Sequence, residues 1–95
     1  MNAELIFRQK ETRDRFIREM VVWRLSEPVT GCSHLFKYRF YFGTDDGLCI
    51  VRYDNERGKG DHKHLLSIEQ QYAFQGLKQL LFDFEADIKR TMEDR

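Results

Sequence analysis

Residues 36–51 constrain the fold more than any other stretch. Phe36, Tyr38, Phe40 and Phe42 recur at every second position, with Lys37, Arg39 and Tyr41 between them. Side chains alternate across a strand, so this run sends one aromatic set to one face and the cations to the other. Gly43-Thr44-Asp45-Asp46-Gly47 follows, and then the apolar run Leu48-Cys49-Ile50-Val51. Asp and Gly accept the positive φ angles that hairpin loops require. The segment predicts an antiparallel hairpin with strands over 34–42 and 48–53. With Phe42 facing Leu48 across the turn, Phe36, Tyr38, Phe40 and Phe42 share a core face with Leu48, Ile50 and Arg52. Lys37, Arg39 and Tyr41 then share the other face with Cys49, Val51 and Tyr53. A slip of one residue would exchange the two sets.

A face of aromatics needs a cover, and the C-terminal segment supplies one. Leu77, Leu80, Leu81, Phe84 and Ile88 fall on one stripe at helical spacing. Gly76 is placed to cap the helix, with Gln79 three residues on. Upstream, residues 4–10 and 15–25 read as two further strands joined by a polar turn over 11–14. The second carries apolar residues on both faces: Phe16, Met20 and Val22 on one, Ile17, Val21, Trp23 and Leu25 on the other. That pattern marks a central strand. Residues 26–31 form a Pro- and Gly-punctuated loop. Ser67 with Gln70 reads as a capped turn, and Tyr72-Ala73-Phe74 as an anchor to the core. The expected architecture is α+β: a four-stranded antiparallel β-meander packed by one C-terminal α-helix, with residues 1–95 as a single domain.

The chain carries 16 basic and 16 acidic residues, so it has no net charge. The distribution is uneven. Eight bases from Arg8 to Arg39 stand against Glu11, Asp14, Glu19 and Glu27, whereas five acids and three bases follow from Asp83 to the end. A basic sheet and an acidic helix would sum to zero and still present one positive face. No apolar run approaches the roughly 20 residues of a membrane span. No secretion signal is read at Met1 to Leu5, so a cytoplasmic protein is expected. Cys32 and Cys49 have no C-x-x-C spacing and are expected as free thiols.

The chemistry concentrates in Arg52-Tyr53-Asp54-Asn55-Glu56-Arg57-Gly58-Lys59-Gly60-Asp61-His62-Lys63-His64. It reads as a glycine-punctuated loop leaving the fourth strand. Three readings remain open. In the first, RNA supplies its own 2′-hydroxyl nucleophile and no metal or other cofactor is needed. His62 and His64 would act as base and acid, Asp61 or Asp54 would orient one of them, and Tyr53 would donate a proton or stack. Arg52, Arg57, Lys59 and Lys63 would hold the phosphate, and Lys37, Arg39 and Tyr41 would extend the RNA track. In the second, Asp61, His62 and His64 bind a metal ion, with Asp54 or Glu56 completing the set. In the third, the run is a solvated, salt-bridged surface or a docking patch without catalysis. His34 stands alone and reads as structural.

The thirteen-residue run resembles the signature of the TumE-like toxin family of toxin–antitoxin modules. Flanking features resemble it too: the strand at Ala3 to Phe7, Met20 to Trp23, Lys37-Tyr38-Arg39, and the helix from Leu77 to Phe84. Gly76 departs from the Ser more usual at the helix start. The resemblance implies a growth-inhibiting toxin partnered by a helix-turn-helix antitoxin, with ribonuclease activity proposed for the family. It carries over only to the signature positions Arg52, Tyr53, Asp54, Arg57, Lys59, Asp61, His62 and His64. The antitoxin would cover the charged run or the Trp23 side of the second strand. A homodimer through the uncovered sheet face is a further expectation.

Overall fold

The computed structural model describes residues 3–93. Met1, Asn2, Asp94 and Arg95, included in the terminal and charge readings above, lie outside the described residues. Six strands follow one another: β1 (Ala3–Arg13), β2 (Phe16–Leu25), β3 (Phe36–Thr44), β4 (Cys49–Glu56), β5 (Gly60–Leu65) and β6 (Ile68–Gln71). Helix α1 (Leu77–Glu93) ends the chain. The strands pair in sequence order as one antiparallel meander. The α+β class and the C-terminal helix stand as expected; the sheet has six strands rather than four.

Both added strands come from segments read as irregular. The charged run is a hairpin in which β4 pairs with β5 from Val51↔Leu65 to Glu56↔Gly60. Gly58 and Gly60 take φ of 84° and 74° in and beside its turn, a backbone that side chains with a Cβ resist. Ser67 caps nothing: Leu66 and Ser67 form a two-residue turn between Leu65 and Ile68. The first hairpin is also tighter than expected. Asp14 and Arg15, at φ 51° and 71°, make its turn, and β1 runs through Arg13. Positive φ at both central residues gives the twist that a two-residue hairpin needs.

One side of the sheet is the core. Met20, Val22, Tyr38, Phe40, Phe42, Val51 and Tyr53 are buried there beneath Leu80 and Phe84. Phe84 meets Phe40 edge-on at 5.2 Å and Tyr53 at 5.9 Å. Each such side chain contributes about 1.5–3 kcal/mol on burial. Of the expected helix stripe, Leu80 and Phe84 are fully buried, whereas Leu81 is 41% exposed. Asp87 takes the buried place on that face instead. Tyr72 and Phe74 pack against the core, which anchors the segment before the helix as expected. β2 is an interior strand, also as expected.

The register across the β3–β4 hairpin corrects the sequence reading. Phe42 pairs with Val51 and Phe40 with Tyr53, because an irregularity at Phe42/Gly43 adds a residue to β4. One extra residue reverses the side on which every later side chain emerges. Val51 and Tyr53 therefore enter the core, and Arg52 joins Tyr41 on the other face. Gly43 accommodates the irregularity: a Cβ there would strike the Leu48 carbonyl and the Tyr41 ring.

Candidate functional site

The face opposite the helix carries two cross-strand rows. The first runs Arg8, Val21, Arg39, Asp54, His62, Gln71. The second runs Lys10, Glu19, Tyr41, Arg52, His64, Glu69. Directly opposed residues on neighbouring strands share a face. Alternation thus gathers Arg39, Tyr41, Arg52, Asp54, His62 and His64 on one open surface from three strands.

His62 lies deepest, 4% exposed. Its Nδ1 is 3.1 Å from the Gly60 carbonyl, which only accepts, so Nδ1 donates. Its Nε2 lies 2.6 Å from Asp54 Oδ1 and 3.6 Å from Glu69 Oε2. His64 sits edge-on to it, ring centroids 5.5 Å apart. An Arg52 terminal nitrogen is 2.8 Å from His64 Nε2. A guanidinium only donates, so this Nε2 presents its lone pair. Glu69 Oε2 lies 3.3 Å from the same atom. Arg52 Nε approaches Asp54 Oδ2 at 3.5 Å, yet Arg52 Nε and Asp54 Oδ1 are buried and make no hydrogen bond.

Beside this cluster, Arg39 pairs with Glu19 at 3.7 Å and lies 5.3 Å over the Tyr41 ring. Burial is the main cause raising the Tyr41 phenol above its ordinary range, so it stays protonated near neutrality. Trp23, Lys37, Arg39, Asp54 and Glu56 line a groove of about 300 Å³. Arg57 is exposed in the β4–β5 turn. Lys59 pairs with Glu56 at 3.5 Å and Glu69 at 3.6 Å.

Three expected site residues face the helix side instead. Tyr53 is fully buried and donates its hydroxyl to Asp87. Lys63 reaches the same carboxylate at 3.1 Å. Asp61 accepts from the Tyr38 hydroxyl at 2.7 Å and from His34 Nε2 at 2.8 Å. His34, read as structural, is fully engaged: its Nδ1 accepts the Phe36 amide at 3.2 Å, and Phe74 stacks on it at 3.8 Å. Asp61 therefore does not join His62 and His64 in a ligand triad. Among the described residues, two groups bring three potential metal ligands within 4.8 Å: Cys32, His34 and Asp61, and His62, His64 and Glu69. Glu69 was not anticipated. It lies on a four-residue strand, and nothing local marks it as a partner of histidines five and seven residues earlier.

An antiparallel sheet covered by one helix, with imidazole, guanidinium, phenol and carboxylate groups clustered on its bare face, defines a small α+β protein. The chain belongs to the TumE toxin family: the family's model, described as toxin TumE, matches residues 2–92. No curated protein and no solved structure gives a significant match. Among the described residues, no helix is long and apolar enough to cross a membrane.

Proposed function

We propose that this toxin is an endoribonuclease that cleaves RNA without a metal, using His64 as its proton carrier. The carrying observation is the Arg52–His64 contact: a base with its lone pair available, held on a phosphate-binding group, on the open sheet face. An incoming phosphate draws Arg52 into a stronger charge-assisted bond and frees His64 Nε2. His64 takes the 2′-hydroxyl proton and returns it to the departing 5′-oxygen, closing a 2′,3′-cyclic phosphate. Arg52 and Arg39 neutralise the phosphoryl charge. Tyr41 and the Trp23 groove receive flanking bases by stacking. His62, buried beneath, is a positioning residue, with the Gly60 carbonyl holding its ring. RNA and a cognate helix-turn-helix antitoxin are the partners of this reading. The antitoxin restrains the toxin by covering the open face.

The test is incubation of purified protein with labelled RNA, with and without EDTA, beside His64→Ala and Arg52→Ala. Chelator-resistant cleavage lost in both folded variants is expected. Cleavage retained by a folded His64→Ala protein sinks the mechanism. Salt-sensitive binding without product would assign a binding role instead.

A further inference from the structure

The hydrogen bonds around the two histidines leave their lone pairs converging. His62 commits its Nδ1 proton to the Gly60 carbonyl, so a neutral ring presents the Nε2 lone pair. This is the arrangement by which metal-binding histidines are usually oriented. His64 also presents Nε2, as its contact with Arg52 requires. Both nitrogens face Glu69 Oε2, at 3.6 Å and 3.3 Å. Acceptors so placed repel one another unless a cation lies between them.

The two contacts to Glu69, at 3.6 Å and 3.3 Å, have the spacing of a coordination sphere. Zinc bonds of about 2.0–2.2 Å to nitrogen and oxygen set neighbouring tetrahedral donors about 3.3–3.6 Å apart. Asp54 Oδ1, buried without a hydrogen bond and 2.6 Å from His62 Nε2, borders this group of three without belonging to it. The other candidate group fails the same chemical test. His34 Nδ1 accepts the Phe36 amide, so its Nε2 carries the proton given to Asp61 and has no lone pair to offer.

We propose that His62, His64 and Glu69 form a site for a divalent transition metal ion, zinc or cobalt by ligand type, with the fourth position left to water. Arg52 is the resident cation of the metal-free state and must leave when the ion enters. Arg52 and Lys59, which pair with Asp54 and Glu69, have side chains 32% and 57% exposed. The ion takes the lone pair with which His64 carries a proton. Metal binding and RNA cleavage therefore exclude each other, and zinc inhibits. That last consequence rests on the ribonuclease reading; the binding itself does not.

The experiment is titration of untagged, chelator-stripped protein with Co²⁺, followed by visible absorption, with equilibrium dialysis against Zn²⁺ for stoichiometry. One equivalent with an intense low-coordination cobalt spectrum is expected. Glu69→Gln, on an exposed strand, should weaken binding by more than the 10–100-fold that loss of an outer-shell partner costs. Arg52→Gln should tighten it, because the competing cation is gone. Cys32→Ser should leave it unchanged. Absence of bound metal, or a complex indifferent to Glu69→Gln in a protein with native circular dichroism, overturns the site. Zinc bound at this site without inhibition of an active ribonuclease would leave the site standing and refute the proton-carrier role of His64.

Discussion

Tyr53→Phe separates scaffold from site within the charged run. Tyr53 is fully buried, and its hydroxyl gives a hydrogen bond to the carboxylate of Asp87, itself 4% exposed. Removing the hydroxyl keeps the ring and its edge contacts with Tyr72 and Phe84. Asp87 retains Lys63 at 3.1 Å, and Arg90 on its other oxygen. The loss is thus chiefly the bond to the Asp87 carboxylate, with longer contacts to Lys63 Nζ at 3.4 Å and the Asp83 carbonyl at 3.3 Å; about 1.5–3 kcal/mol is expected, and not the about 3–5 kcal/mol of a buried charge left alone. In a chain of this size about 2 kcal/mol lowers Tm by about 8–16 °C. Thermal melts by circular dichroism measure it, with RNA cleavage assayed well below the variant's transition. Cleavage should persist at the wild-type level, because the hydroxyl faces the helix. An unchanged Tm would mean that the bond contributes nothing. Lost cleavage by the folded variant would mean that Tyr53 reaches the substrate, and the assignment of faces would be wrong.

Asp87→Ala strips the partner from both Lys63 and the Tyr53 hydroxyl; a loss of about 3–5 kcal/mol is expected by urea unfolding, and a loss under 1 kcal/mol would refute the buried pairing. Alkali should unfold the protein steeply. Tyr38 and Tyr53 are buried with phenols raised well above their ordinary value near 10, by desolvation first and then by bonds to Asp61 and Asp87. The unfolded chain releases those protons above about pH 10 while the folded one keeps them, so stability is full below that pH and falls as pH rises, by about 1.4 kcal/mol per unit for each phenol. Both phenolate absorbances rising before the unfolding transition would contradict this. Leu66→Gly should stabilise: Leu66 holds φ 57° and is 55% exposed, and relief of about 1–2 kcal/mol of left-handed strain exceeds the entropy cost of glycine. A lower Tm for that variant would show that the Leu66 side chain matters more than its backbone.

Local signals carried the hairpin over 36–51, the interior second strand and the C-terminal helix into view, because alternation and helical spacing act within a few residues. The charged run hid its strands for a physical reason. Period-two alternation is visible only when one face is apolar, and here both are polar. Lys63 faces the core side but is neutralised by Asp87, twenty-four residues on. Asp61 faces the same side and is satisfied by Tyr38 and His34, twenty-three and twenty-seven residues back. No local pattern announces partners at such separations. The bulge at Gly43 was equally silent, and it alone moved Arg52 from the expected core face to the site. The helix stripe misjudged Leu81 and Asp87 alike, since the buried carboxylate is met by Lys63 and the Tyr53 hydroxyl, partners that the helix sequence does not contain.

The β4–β5 hairpin therefore does two jobs with one run of sequence. Positions 52, 54, 62 and 64 form the open cluster, while 53, 55, 61 and 63 fasten the sheet to what lies behind it. Asn55, fully buried, accepts the Tyr38 amide at 2.9 Å and donates to the Phe36 carbonyl at 2.6 Å, tying the start of β3 to β4. Asp61 ties the same strand through Tyr38. β3 also carries Arg39 and Tyr41 on the open face, so these hidden bonds fix the spacing between the cations proposed to meet a phosphate. A misplacement of 1 Å costs about a hundredfold in rate even when it arises away from the chemistry. Substitutions that break the Asn55 or Asp61 bonds should therefore lower activity much as changes on the open face do, whereas Tyr53→Phe, whose hydroxyl bonds only on the helix side, should not. Activity alone would mark Asn55 and Asp61 as catalytic, and only the accompanying change in stability divides residues proposed to touch RNA from those that hold them in place.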